Sequence, residues 1–404
     1  MTDRIAELQQ RLARLLVRTG ANVAEGQDVL VRCQVEHRDL ARAVCEEAYL
    51  AGARYVHIDY WEPFQKLYRM RHAELGTLEY VPSWWDDRFD ELIEKRGASI
   101  VLAGDPHPNL LDGIDIERAR LDKMPSTPKS LEVPFSGEVN WNIGPGPNAT
   151  WATNIFGEAD LERLWEAIAV TTRLDEPDPV AAWTAHLDRL VARAAAMTEL
   201  DLDRLEYRGP GTDLTVGLIE NHRWVAATVE TNWGRRFVPN MPTEEVFTTP
   251  HRERADGTVA TTKPLLLEGT IVEGLRLTFE GGRMVDVQAE RNAEVVRAHT
   301  ARDEGASRLG EIALVDVSSP VNGTGILFQN TLFDENAACH MAWGQGIAWA
   351  LPGLPDDREK HAEHGFNRSS VHVDVMVGSD RLDVEGVTRD GRRVQILKAG
   401  EWVL

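Results

Sequence analysis

The chain opens on a helical pattern. Ile5, Leu8, Leu12, Leu15 and Leu16 fall on one face at helical spacing, which predicts an amphipathic helix over residues 5–16. An apolar run at 29–35 reads as a buried strand, and the alanine-rich stretch 40–51 reads as a helix that Gly52 is suited to end. Residues 55–60 alternate like a strand, 86–95 are helical, and 99–103 form a second buried-strand run. Strands alternating with helices predict an α/β domain built on a parallel, doubly wound sheet.

Two long helices follow, at 160–173 and 179–197, the second entered through Asp175-Glu176-Pro177-Asp178-Pro179. Prolines are tolerated at a helix start and not inside it. The domain boundary is expected at the end of this helix, giving an α/β domain over 1–197 and a second domain over 198–404. Beyond it the period changes. Residues 213–220 and 224–228 read as strands around Asn221-His222. Residues 270–279 and 283–289 read as a hairpin across Glu280-Gly281-Gly282, because glycine supplies the positive φ a tight turn needs. A helix at 293–309 precedes a strand at 312–317, and residues 371–404 are strand-rich. The second domain is therefore expected to be mainly β with inserted helices, an α+β arrangement, and no internal repeat is found.

Composition removes several functions. With 65 acids against 44 bases the net charge is -21. Such a chain lacks the cationic surface that nucleic acid and anionic membranes require. No stretch approaches the roughly 18 apolar residues of a membrane span, and residues 1–20 lack a signal-peptide apolar core. No GxGxxG or GxxxxGK[ST] follows any strand, and Gly144-Pro145-Gly146-Pro147 is a proline-locked loop rather than a phosphate cradle. Cys33, Cys45 and Cys339 show no metal or CxxC spacing, which fits a reducing, cytoplasmic setting.

Four segments carry candidate chemistry. In Ser370-Val371-His372-Val373-Asp374-Val375-Met376-Val377 the valines share one strand face, and His372, Asp374 and Met376 share the other. A buried valine face would hold His372 and Asp374 together, about 6 to 7 Å apart along the strand, as ligands for one metal ion. In Leu332-Phe333-Asp334-Glu335-Asn336-Ala337-Ala338-Cys339-His340, Asp334 resembles a helix N-cap, placing His340 in the second turn of a helix beside small residues. Glu244 and Glu245 form an acid pair inside Met241-Pro242-Thr243-Glu244-Glu245-Val246-Phe247-Thr248-Thr249-Pro250, an odd frame for a surface loop. Glu311 stands at the mouth of the apolar strand Ile312-Ala313-Leu314-Val315. Taken singly, each is also what a satisfied core histidine or a solvated surface acid looks like.

Together the segments 240–251, 303–315, 330–346 and 365–378 resemble the motifs of the thermophilic aminopeptidase family of two-metal metallopeptidases. The likeness extends to 41–53 and to 164–190 with Trp165 and Trp183, so it is nearly full length. It implies an enzyme that removes N-terminal residues from short peptides through a metal-bridging hydroxide. It also implies two divalent ions (zinc, cobalt or manganese), metal ligands at Glu245, Glu311, His340, His372 and Asp374, and a homodimer. It selects Glu245 over Glu244 as ligand, and the interval from Glu245 to Glu311 matches the family's. Five ligands for two metals leave positions open for water and substrate. Glu311 or the non-ligand Glu244 is expected to move the water's proton to the leaving amine.

One departure stands out. The family tyrosine seven residues after the ligand histidine is Ile347 here, and isoleucine can neither bind an oxyanion nor relay a proton. Gln345, Asn367 and His364 are the substitutes nearest in sequence. Two rival readings follow from that change. One is a mononuclear iron ring-cleaving dioxygenase built on His340, His372 and one carboxylate. The other is a specialised or weakly active amide hydrolase on the same fold.

Overall fold

The computed structural model describes residues 3–355 and 357–404. Contacts divide the chain into two compact units, Met1–Ala185 with Thr228–Pro242, and His186–Ala227 with Thr243–Leu404.

The first unit is built on four parallel strands: β1 (Asp28–Gln34), β2 (Tyr55–Trp61), β3 (Ala98–Ala103) and β4 (Asn140–Pro145), in the order β2-β1-β3-β4. Every neighbouring pair runs parallel, because helices cross between successive strands. Covered faces explain the unbroken apolar runs of β1 and β3. β4 was not foreseen, since Asn140-Trp141-Asn142 does not read as a buried strand. Its asparagines are fully buried because they have partners: Asn140 Nδ2 donates to the Ala21 carbonyl at 2.6 Å, and Asn142 Nδ2 to the Val238 carbonyl at 2.7 Å.

The second unit holds an eight-stranded and a five-stranded antiparallel sheet. One continuous apolar core collects Leu205, Val216, Phe279, Ile312, Trp343 and Val375 among many others. Three local expectations change. The hairpin across Glu280 is real, with Arg276–Glu280 paired to Arg283–Gln288, but Thr270–Val272 is a separate strand paired with Leu265–Leu267. Gly282 has φ +78, and a Cβ there would lie 2.1 Å from the Arg252 carbonyl oxygen, so this turn requires glycine. The helix after it spans only Ala293–Thr300, a turn with a 3-10 segment at Gly305–Ser307 takes most of the rest of the expected helical run, and the strand begins earlier than expected, at Leu309–Val315.

Candidate metal centre

The five-stranded sheet positions the chemistry. Its order runs from His372–Met376 through His340–Gly344, Leu309–Val315 and Glu245–Thr248 to Val225–Ala226. Directly paired residues in an antiparallel sheet share a face, as do residues two apart on one strand. Asp374 pairs with Ala342, and Ala342 with Glu311, so Asp374 and Glu311 share a face. His372 lies two positions from Asp374, and His340 two from Ala342. His340 pairs with Ala313, and Ala313 with Phe247, which lies two positions from Glu245. Five residues separated by up to 129 positions thus stand on one face of one sheet. Ala342 and Ala313 between them have side chains too short to fill that space.

The other face explains why they stay there. Val246, Ile312, Leu314, Met341, Trp343 and Val375 all enter the apolar core. Slipping any strand by one residue would put a carboxylate or imidazole into that core, so the register is strongly fixed.

The side chains converge. Ligand atoms of Glu245, Glu311 and His340 lie within 4.8 Å of one another, and so do those of Glu311, His372 and Asp374. Glu311 belongs to both groups. His340 Nε2 is 3.1 Å from Glu245 Oε2, and His372 Nε2 is 3.1 Å from Glu311 Oε2 and 3.5 Å from Asp374 Oδ1. Glu245 Oε2 is buried, and the His340 imidazole 3.1 Å away serves it as a counter-charge. Both imidazoles turn Nδ1 to a backbone carbonyl, His372 to Gln345 at 2.8 Å and His340 to Ala338 at 3.3 Å. Donation from Nδ1 fixes each ring with Nε2 facing the cluster, so that loss of the Nε2 proton frees the lone pair a metal ligand requires.

Charge shows what the cluster lacks. Burial pushes the Glu311 carboxyl up, as do Glu245 and Asp374, against the pull of His372. Burial opposes protonation of His340, yet the surrounding carboxylates carry it up to about 10. His372 moves well up for the same reason. Two histidines held protonated beside a surplus of carboxylates are a cluster using protons in place of stronger cations. A buried carboxylate oxygen, oriented imidazoles and a shared glutamate therefore fit a divalent metal centre.

Two sequence expectations are corrected by their local structure. His340 opens a strand rather than sitting in a helix. The helix Thr331–Asp334 is capped by Asn330, whose side chain accepts from Leu332 N, and Asp334 instead accepts from Phe328 N and Asn330 N at 2.7 and 3.0 Å. A 3-10 turn, Glu335–Ala337, follows, and Ala338 is already extended at φ -160. Glu244 is buried, but its carboxylate lies 3.4 Å from His186 Nε2 and outside both ligand groups.

The structure adds Glu335, which the sequence reading passed over. It stands on the turn that packs against the His372 strand. Burial, then Glu245, Asp374 and Glu311, push its carboxyl well above the usual range. Its Oε1 lies 3.4 Å from Asn336 Nδ2, and Asn336 Oδ1 accepts from Glu244 N at 2.7 Å. An acid between Asp334 and Asn336 looks like surface, and no periodicity marks it.

The candidates to replace the family tyrosine are largely committed elsewhere. Asn367 Nδ2 donates to the carbonyls of Gly305 and Gly344. Gln345 Nε2 donates to the Gly346 carbonyl and its Oε1 accepts from Ser369 N. His364 is exposed.

Two histidines and three carboxylates on one face of an antiparallel sheet mark out a metal-dependent hydrolase. The profile of thermophilic metalloproteases, M29, matches residues 6–402. The chain is 40% identical to aminopeptidase T of Thermus aquaticus over 409 residues, covering all of both chains. It is 39% identical to aminopeptidase PepS of Streptococcus thermophilus, covering 98% of each. Wild-type AmpT from Thermus thermophilus superposes with a TM-score of 0.89 at 38% identity, covering 98% of this chain and 99% of that one. The chain belongs to the M29 thermophilic metalloprotease family. A 2,5-dihydroxypyridine dioxygenase from Pseudomonas putida KT2440 shares the fold alone, with a TM-score of 0.55 at 12% identity, covering 100% of this chain and 98% of that one.

Proposed function

We propose that Glu245, Glu311 and His340 hold one divalent cation and that Glu311, His372 and Asp374 hold a second, with Glu311 common to both. The chain is a metal-dependent aminopeptidase, a hydrolase acting on peptides. The observation that supports two sites is Glu311, which among the described residues is the carboxylate common to both groups. When bound, such ions polarise the scissile carbonyl and lower the pKa of water toward about 7.

The remaining work falls to the protein. His340 and His372 are oriented by backbone carbonyls, so their Nε2 atoms need no reorganisation. Glu311 is taken up as a ligand, and Glu244 faces His186. Glu335 is the remaining acid, and its Oε2 takes the proton of the attacking water and delivers it to the leaving amine. The carboxylate surplus favours a substrate with a free amine, consistent with cutting from the N-terminus of short peptides. Zinc, cobalt or manganese suits this mixed nitrogen and oxygen donor set. A homodimer, a cytoplasmic setting and a metal-binding domain over 198–404 complete the reading. Among the described residues no helix is long and apolar enough to cross a membrane.

The test is metal quantification joined to turnover. Purified protein is expected to hold about two equivalents of divalent metal and to hydrolyse an aminoacyl chromogenic amide. Chelation is expected to abolish that activity. Full activity in an exhaustively stripped sample would end this reading.

A further inference from the structure

The first unit contains a cavity that plays no part in the metal chemistry. It is 290 Å³ in volume and opens at the carboxyl ends of β1, β2 and β3, lined by Arg32, Asp59, Trp61, Trp85 and Asp105 among others. The carboxyl edge of a parallel sheet is where doubly wound folds place ligands, because helices and loops leave a crevice there.

The polar atoms around this cavity are unbalanced. Arg32 is half-buried and makes no hydrogen bond or ion pair among the described residues. Its guanidinium lies 5.4 Å from the Phe89 ring centroid. Burial lowers its affinity for its proton, Asp59 works the other way, and Arg88 lowers it further. Arg88 spends Nη1 on Asp59 Oδ2 at 2.9 Å and lies 3.8 Å from the Trp85 ring centroid, but its Nε and Nη2 are buried without a partner. Trp85 Nε1 is likewise buried and unpartnered. Two guanidinium groups therefore share one nearby carboxylate, and every unsatisfied atom named is an N–H donor. Leaving such donors dry is costly, and an anion with two acceptor oxygens is the economical complement.

Two features narrow the class. Asp59 and the exposed Asp105 offset the two guanidinium groups, so there is no positive excess for a doubly charged phosphate, and the unsatisfied N–H donors suit at most a single carboxylate. No glycine-rich phosphate cradle follows these strands. Trp61 and Trp85 supply flat apolar wall, so the rest of the ligand is flat and apolar. We propose that this cavity binds a small carboxylate with a planar apolar body, the carboxylate on Arg32 and Trp85 Nε1 and the body against Trp61 and Trp85. The inference is independent of the metal site, which lies wholly in the second unit.

Calorimetric titration of the metal-loaded full chain with benzoate, benzamide and inorganic phosphate tests it. Benzoate is expected to bind at least about tenfold more tightly than neutral benzamide, since a charge-assisted pair is lost with the charge. Arg32→Gln is expected to erase that difference, while benzoate taken up by the metals would be common to both proteins. Trp85→Phe keeps the ring and removes the N–H, and a several-fold loss is expected. Should Arg32→Gln fail to unfold cooperatively, Arg32→Lys and Trp85→Phe carry the test. Equal binding of benzoate and benzamide, unchanged binding in the Arg32 and Trp85 variants, or phosphate binding more tightly than benzoate would each overturn the proposal.

Discussion

The two units contain polar clusters that are opposites in kind. On and beside the five-stranded sheet, carboxylates outnumber imidazoles: Glu245, Glu311, Asp374 and Glu335 gather around His340 and His372. At the edge of the parallel sheet the unsatisfied atoms are donors: Arg88 Nε and Nη2 and Trp85 Nε1 are buried without a partner, and the half-buried Arg32 has no ion pair among the described residues. Each imbalance costs stability in isolation, and each names the charge that would relieve it. The difference lies in how the groups are held. The acidic cluster stands on antiparallel strands whose other face is apolar core, which fixes donor geometry as metal ligation demands. The cationic cluster sits on strand ends and a helix, where a ligand is admitted rather than gripped.

The sharpest way to break this comparison is Glu311→Gln. One substitution removes a donor from both metal groups. Loss of a partner one shell out typically costs about 10- to 100-fold, so losing a shared ligand is expected to cost more in activity and to drop the metal content below one equivalent. Retention of about two equivalents in the variant would remove Glu311 from its bridging position. Glu335→Gln separates binding from proton transfer. It is expected to keep its metal and its KM while kcat falls by about 100- to 10,000-fold. A proportionate loss of metal would make Glu335 a ligand instead.

How much of this was readable beforehand follows from physics. His372 and Asp374 were legible because a period of two beside a row of valines leaves one interpretation of the strand. Glu311 and Glu245 border apolar strands, yet singly each looks like a surface acid; their burial and their nearness to each other depend on register across strands and came only through family resemblance. His340 was misplaced because Ala337-Ala338-Cys339 has good helical composition, whereas the chain leaves the helix at Asp334, passes through a 3-10 turn at Glu335–Ala337 and is extended by Ala338. β4 was hidden because its polar residues are satisfied by carbonyls distant in sequence. Glu335 and Arg32 left no trace in the sequence, since Glu335 matters for the carboxylates folded around it and Arg32 for its lack of an ion pair, and a sequence records neither.

Ile347 sharpens the acidic side of the comparison. The side-chain amides of Gln345 and Asn367 are tied to backbone carbonyls, so a developing oxyanion would find neither of them free to donate and no phenol at position 347. Ile347→Tyr is expected to raise kcat by up to about 100- to 1000-fold, the usual worth of one such donor. The position is half-buried and precedes a 3-10 turn, so a phenol there does not enter a packed core. A rate unchanged on aminoacyl amides would show that another group already fills the role.

One substitution in each cluster provides a paired test with a smaller effect. Arg32→Gln in ligand-free protein removes a half-buried charge that has no ion pair among the described residues, whereas Glu245→Gln in metal-stripped protein takes the counter-charge from the His340 imidazolium. Urea unfolding is expected to show a loss of no more than about 1 kcal/mol for Arg32→Gln and up to about 3 to 5 for Glu245→Gln. A loss of several kcal/mol for Arg32→Gln would mean that the guanidinium was satisfied after all.

Asp303 supplies the control, a carboxylate with every partner it needs. Its Oδ1 accepts from Ala306 N at 2.9 Å and Ser369 Oγ at 2.8 Å, and its Oδ2 from Ser370 N at 2.8 Å and Ser370 Oγ at 2.6 Å. Burial works against its charge, yet these donors hold its pKa down to about 2, whereas Glu311 and Glu335 move up. A carboxylate whose folded pKa lies below its unfolded value of about 3.9 stabilises the fold above that pH and loses the contribution as pH falls toward the folded value. Stability that depends on Asp303 is therefore present at neutral pH and disappears between about pH 4 and pH 2. The group is half-exposed, so solvent screening keeps the effect modest, on the order of 1 kcal/mol. Asp303→Asn is expected to unfold at lower urea than the parent at pH 7 and to converge with it near pH 2. Parallel curves across that window would mean that the serines hold Asp303 no better than water does.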